Sequence, residues 1–174
     1  NRRVLSQPDV HIYHNDAREF LLTSAAEYDI IISEPSNPYR AGIANLYTRE
    51  FYASAADRLA EEGLFLQWLQ GYEVDDQTVA TVLKTMRSVF PTVEIWRTRA
   101  RDMVLVCSPA PRPLAYDADS LQQSLNNPVI REGLKLAWRA EDVSGILAHY
   151  VCDNQTIQLF LDQNPSFTKS PKIF

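Results

Sequence analysis

Glycine is scarce in this chain: there are five in 174 residues, and none form a glycine-rich loop of the kind that cradles a phosphate. Cysteine is scarcer. Cys107 and Cys152 are the only two, far apart and without metal-ligand spacing. They read as reduced thiols of a cytosolic-type compartment, not as a disulfide framework. No apolar run approaches the ~18–20 residues of a membrane span, and no charged-then-apolar leader opens the chain. Lys and Arg number 17 against 22 Asp and Glu, a net charge of −5, without the clustered basic residues that mark a nucleic-acid surface. The mild acidity suits a cationic substrate and equally suits plain solubility. A chain that opens on Asn1 and not on Met is expected to be a piece of a longer protein.

Against these absences stand regular hydrophobic patterns. "VHIYH" (10–14) alternates and is rich in β-formers, so it reads as a strand. Asp16, with Glu19 three residues on, resembles a capping box that opens a helix through "AREFLLTSAA". "YDIIIS" (28–33) is a nearly continuous apolar run, the pattern of a strand buried on both faces. Residues 34–47 form a loop with two prolines and Gly42. Thr48 can cap a helix that buries Phe51, Tyr52, Ala55, Ala56 and Leu59, with Gly63 as its stop. "LFLQWL" (64–69) is the next strand. Asp75 and Asp76 open a helix carrying Val79, Val82, Leu83 and Met86, which Pro91 ends. "VEIWRT" (93–98) and "MVLVCS" (103–108) are two strands joined by a short charged turn, hence an antiparallel pair.

Alternation of strands and helices predicts an α/β fold with a mostly parallel sheet. The antiparallel last pair is characteristic of methyltransferase-like (class I) Rossmann variants. A Pro-rich break at 109–116 separates residues 1–108 from short helical patterns over 117–162, a small C-terminal appendage. The tail 163–174 reads as extended or loose.

Ligands of open α/β sheets bind at the carboxyl ends of the strands. Asp16 and Glu34 lie just past strand ends, and Gln67 and Tyr72 lie near the third, so four polar groups from separate stretches can converge on one edge. Each has a plain structural reading beside the functional one. Asp16 serves as a helix cap, Asn37 as turn chemistry between prolines, and Gln67 as a satisfied core amide. Glu34 is harder to explain structurally, because three isoleucines before it imply a desolvated neighbourhood in which an unpaired acid is costly. His11 and His14 point to opposite faces of a strand and make no metal pair. His149 and Cys152 are one helical turn apart but lack further ligands, so no metal site is expected. "NQT" (154–156) matches a glycosylation acceptor without any sign of secretion, and "RTRARD" (97–102) is a solvated basic turn.

"NDAREFL", "YDIIISEPSNP", "NLYTREFY" and "EEGLFLQW", in this order, resemble the polyamine aminopropyltransferases, the spermidine synthase family, over residues 8–108. The variant "SEPSNP…AG…LYTREFY" is most similar to bacterial spermidine-synthase-like domains often fused to transporter-like membrane segments. The resemblance implies aminopropyl transfer from decarboxylated S-adenosylmethionine, a co-substrate and not a tightly bound cofactor, to an amine. It implies Glu34 as base and amine anchor, Asn37 at the position of a second acid, and Asp16 with Ala17 as the pair that contacts adenine. It places Gln67 on the substrate channel, and gives Tyr72 no secure counterpart.

Two departures stand out. Asn37 is neutral where the family holds an ammonium with an acid, and charge-assisted bonds are roughly twice as strong as neutral ones. The family's glycine-rich first loop and the acid that binds the ribose are absent from these residues. The fold expected is therefore a truncated Rossmann domain, starting just before the family's third strand. In the order 3-2-1-4-5-7-6 the stretch 10–14 then lacks a neighbour, and the strand at 28–33 has an open edge that a second chain can pair with, as in a homodimer. These residues alone are expected to be inactive. The implied partners are small molecules and not nucleic acid, and the implied location is the cytoplasm, with the parent able to be membrane-fused. Two rivals remain: an amino-methyltransferase, whose Asn-Pro-Pro-aromatic motif Asn37-Pro38-Tyr39 matches incompletely, and a non-catalytic sensor or interaction module.

Overall fold

The computed structural model describes residues 4–98 and 101–165; the expected loose tail, from residue 166 on, and part of the basic turn lie outside them. Among the described residues the strands are β1 (Tyr28–Ser33), β2 (Leu59–Leu69), β3 (Thr92–Arg97), β4 (Met103–Ser108) and β5 (Tyr150–Cys152). The helices are α1 (Ala17–Thr23), α2 (Arg49–Ala56), α3 (Asp76–Arg87), α4 (Ala118–Ser124), α5 (Pro128–Trp138), α6 (Val143–Leu147) and α7 (Asn154–Gln163).

The helix starts follow their caps. Asp16 accepts from the Arg18 and Glu19 N–H groups, Thr48 from Phe51 N–H and Asp75 from Thr78 N–H. α2 is shorter than its pattern: Ala56 ends it, and Leu59 and Gly63 belong to β2. Gly63 is required there by close approach, because a Cβ would lie 2.9 Å from the Ala60 carbonyl oxygen and 3.0 Å from that of Tyr28. The spot is an irregularity in the β1–β2 ladder, where Tyr28 pairs with Leu59 but Ile30 with Leu64.

The sheet order is β1-β2-β4-β3-β5. The pair β3–β4 is antiparallel as expected, and β1–β4 follow the 4-5-7-6 end of the anticipated order. Two corrections follow. The described sheet is mixed and not mostly parallel, since only β1–β2 pair in parallel and β2–β4, β4–β3 and β3–β5 are antiparallel. Residues 10–14 form no strand: no strand among the described residues pairs with them, the Val10 N–H turns back to the Gln7 carbonyl at 3.2 Å, and Ile12 and Tyr13 are exposed.

One face of the sheet carries the core. Phe65, Leu69, Val93, Leu105 and Cys107 meet Phe51, Tyr52 and Ala55 of α2 and Leu83 and Met86 of α3. Phe65 and Phe90 stack at 5.3 Å, with Tyr52 edge-on to Phe65 at 5.7 Å. Each buried aromatic of this kind contributes on the order of 2–3 kcal/mol. β1 is an edge strand and is not buried on both faces as its pattern suggested: Ile31 packs on the core, while Ile30 and Ile32 are 56 % and 70 % exposed.

Residues 117–162 divide between two cores. Leu125, Ala140 and Ile146 form a small separate cluster. Ile157 and Leu161 of α7 join the main one, and Arg87 of α3 donates to Asn154 at 3.0 Å and Gln158 at 2.6 Å. Tyr150, within the stretch expected to hold only short helices, instead lies in β5 and pairs with β3. A three-residue strand is too short to leave a period in the sequence.

Candidate functional site

The parallel pair β1–β2 sets the site. Ser33 is in register with Gln67, so Glu34, the next residue, emerges on the edge where β2 ends. Glu34 is exposed. This corrects the expectation of a desolvated neighbourhood, and the cause is the open edge of β1. Beside it lies a cavity of about 400 Å³ lined by Ala17, Phe20, Ile30, Ile32, Glu34 and Phe51, among others. Its walls are aromatic and aliphatic, and Glu34 is the carboxylate among the lining residues. Apolar walls with few polar groups are the usual make-up of a small-molecule site.

The six candidate residues fall into three groups. Ala17 and Glu34 share the cavity, and Asp16 adjoins it as the cap of α1, with one carboxylate oxygen 2.8 Å from the Arg18 nitrogen. Asn37 and Gln67 are sealed off at 5 % and 0 % exposure. Tyr72 is half-exposed on the turn after β2, where its carbonyl accepts from the Gln70 amide at 2.9 Å. Neither Asn37, Gln67 nor Tyr72 lines the cavity beside Glu34.

The loop between β1 and α2 explains the sealing. Asn37 donates its amide to the Tyr39 hydroxyl, and its carbonyl accepts from the Arg40 N–H. Tyr47, at the loop's end, donates its hydroxyl to the Ser36 carbonyl at 3.0 Å. Burial pushes the Tyr47 phenol up to about 12, against a smaller opposing effect of the Gln67 amide beside it. Gln67 Oε1 has no hydrogen-bond partner among the described residues. Tyr47 thus closes the loop back on Ser36, with Gln67 of β2 beside it, a role missed from the sequence although the residue stands inside the "NLYTREFY" motif.

Among the described residues no group of His, Cys, Asp and Glu can hold a metal, and no helix is long and apolar enough to cross a membrane. His149 and Cys152 do not share a helix: Cys152 lies in β5. Both cysteines are free thiols.

A five-stranded sheet of this order, with an acid at the end of a parallel strand beside an apolar cavity, defines a methyltransferase-like Rossmann fold. Residues 2–102 match the spermine/spermidine synthase domain, and the chain belongs to that family. It is 30 % identical over 95 residues to a polyamine aminopropyltransferase of Alkaliphilus oremlandii, covering 53 % of this chain and 33 % of that one. It is 36 % identical over 93 residues to a polyamine aminopropyltransferase of Lachnospira eligens, covering 53 % and 32 %. The chain spans about a third of the length of these relatives. In fold it is similar to a spermidine synthase solved with the transition-state analogue AdoDATO (TM-score 0.60, 21 % identity, 68 % of this chain and 43 % of that one). It is also similar to human methyltransferase-like protein 13 solved with SAH (TM-score 0.52, 18 % identity, 66 % and 55 %).

Proposed function

We propose that these residues form the amine-side edge of an aminopropyltransferase site. The observation that carries the reading is Glu34, an acid placed by β1 on the cavity that Ala17 also lines. In this reading the amine attacks the carbon next to the sulfonium of decarboxylated S-adenosylmethionine. A C–N bond forms, the C–S bond breaks, methylthioadenosine leaves, and Glu34 takes the proton of the attacking amine. Asp16 and Ala17 lie where the nucleoside is held, and the apolar wall of Phe20, Ile30 and Ile32 supports its flat and aliphatic parts. Gln67 acts from beneath the loop through Tyr47, and Tyr72 stands at the outer end of the same edge. The acceptor is a small amine, and the free thiols accord with a reducing, cytoplasmic setting.

The 174 residues by themselves bind the nucleoside weakly in this reading, because they carry no glycine-rich loop and leave the edge of β1 open. Calorimetric titration of the chain with methylthioadenosine tests this: millimolar or absent binding is expected, and micromolar binding overturns it. A second reading, a binding module without catalysis, is favoured by one observation: Asn37 spends its amide on Tyr39 inside the turn and does not offer an acid. Offering the native polypeptide decarboxylated S-adenosylmethionine or S-adenosylmethionine with several amines separates aminopropyl transfer, methyl transfer and neither.

A further inference from the structure

His149 closes the corner between the sheet and α5. Its backbone carbonyl accepts from the Arg97 N–H at 2.8 Å, which fixes the main chain at the end of β3. Its ring is held at both nitrogens as well. Nδ1 lies 2.6 Å from the Arg97 carbonyl oxygen and Nε2 3.1 Å from the Trp138 carbonyl oxygen. Both partners are acceptors only. A neutral imidazole owns one N–H and serves one of them, leaving a lone pair facing the other oxygen; the imidazolium donates to both. The Trp138 carbonyl also ends α5. The Trp138 ring lies against the imidazole at 4.6 Å and 23°.

The charged and titratable groups on the elements meeting there are Glu94 and Arg97 on β3, Arg131, Glu132, Lys135 and Arg139 on α5 and its cap, Glu141 and Asp142 before α6, and Tyr150 and Cys152 on β5. Four of these are engaged elsewhere. Lys135 pairs with Glu141 at 3.0 Å, Asp142 accepts from the Gly145 N–H at 2.7 Å, and Glu94 accepts from the Tyr116 hydroxyl. Arg97 and Arg139 oppose a cationic ring, but both are exposed, where water and salt screen them.

We propose that His149 is a pH-sensitive clamp. As the imidazolium it ties the C-terminal end of α5 to β3; on losing its proton it releases one of the two ties and loosens Trp138. That matters beyond the corner, because Trp138 stacks on Trp96 at 6.4 Å and the two line a cavity of about 480 Å³ that also takes in Leu64, Leu66, Val104 and Val106. By strand register this is the sheet face opposite α2 and α3. The clamp is therefore separate from the Glu34 edge and independent of the activity proposed there.

The test is long-range 1H–15N correlation of the histidine rings in the whole chain, from about pH 5 to pH 8, the span in which imidazole charge changes. Near-UV circular dichroism of the tryptophans is followed in parallel. His149→Gln assigns the His149 signals apart from the exposed His11 and His14. The expected result is a ring protonated on both nitrogens at the acid end, with a tryptophan signal that changes at the same midpoint and loses that step in His149→Gln. A His149 ring that is a single neutral tautomer throughout overturns the proposal. So does a tryptophan step that survives unchanged in His149→Gln. Should that variant fail to fold, Trp138→Phe keeps the backbone carbonyl and must retain the ring transition while losing the Trp138 contribution; loss of the ring transition in it also counts against the clamp.

Discussion

Replacing Asn37 by Asp restores the acid that the family resemblance calls for, and the structure sets what this costs. Asn37 is 5 % exposed and its amide donates to the Tyr39 hydroxyl. A carboxylate there has no N–H to give, although the Tyr39 hydroxyl can turn and donate to it. One neutral donor does not offset the loss of water around a charge, a penalty of several kcal/mol per ion, taken as about 3 kcal/mol. At about 1.36 kcal/mol per unit, this places the folded-state carboxyl about two units above the ordinary value of about 3.9. The sign follows from proton binding. The folded state then holds its proton more tightly than the unfolded state, so stability is fully present below about pH 4 and is lost as pH rises to about 6. Compared with wild type at the same pH, Asn37→Asp is therefore near-neutral at about pH 4. At pH 7.5 it is lower by about 3 kcal/mol, or by about 6–12 °C in Tm for a domain of this size. Thermal melts followed by circular dichroism at both pH values measure the difference. If the turn holds an amine as the family resemblance implies, a diamine reaches the new carboxylate and recovers part of the loss, although Asn37 is closed off from the cavity beside Glu34. Equal stability of variant and wild type at pH 7.5 refutes the burial argument, and a loss that no diamine recovers refutes the assignment of the turn to amine binding.

Other expectations rest on single contacts. Tyr52 is fully buried and its hydroxyl has no partner among the described residues; burial also drives its phenol well above the ordinary range. Tyr52→Phe therefore gains about 1 kcal/mol in urea unfolding, and a loss of that size shows a hydrogen bond where none is seen. Gly63→Ala forces a methyl against two backbone oxygens and lowers stability by about 1–3 kcal/mol, with a wild-type midpoint as the contrary result. The Asp75 carboxyl is held below its ordinary value, chiefly by hydrogen bonds to Thr78. Its contribution is present above the unfolded-state value and lost as pH falls through the folded one. Asp75→Asn keeps the cap at neutral pH but removes this acid-side loss, whereas Asp75→Ala costs about 1 kcal/mol at neutral pH; identical acid titrations of wild type and Asp75→Asn contradict this.

Local signals in the sequence carried most of the fold. Asp16, Thr48 and Asp75 cap helices through bonds that involve neighbours within three residues, which is why they were legible. The β3–β4 hairpin was legible for the same reason. What failed depended on distant partners. Residues 10–14 have the alternation of a strand, but alternation makes a strand only when a neighbour supplies the ladder. Ile30 and Ile32 have the composition of a doubly buried strand, yet they face solvent because β1 lies at an edge. The same edge exposes Glu34, whose predicted desolvation relied on those isoleucines. At the site, the position of Glu34 past a strand end was readable, but the burial of Asn37 and Gln67 beneath the loop was not. Gln67 is enclosed between Ser33 of β1 and Leu105 of β4, and Tyr47 reaches back to Ser36, a contact across eleven residues; no short-range pattern encodes either.

The central claim is that Glu34 accepts the amine's proton during aminopropyl transfer. The direct test is formation of methylthioadenosine from decarboxylated S-adenosylmethionine and a panel of amines by the native polypeptide that carries these residues, beside its Glu34→Gln variant. Turnover is expected to fall by about 10²–10⁴-fold in the variant, the usual share of general-base catalysis, with the folded structure retained. Turnover unchanged by Glu34→Gln, or methyl transfer from S-adenosylmethionine in its place, contradicts it.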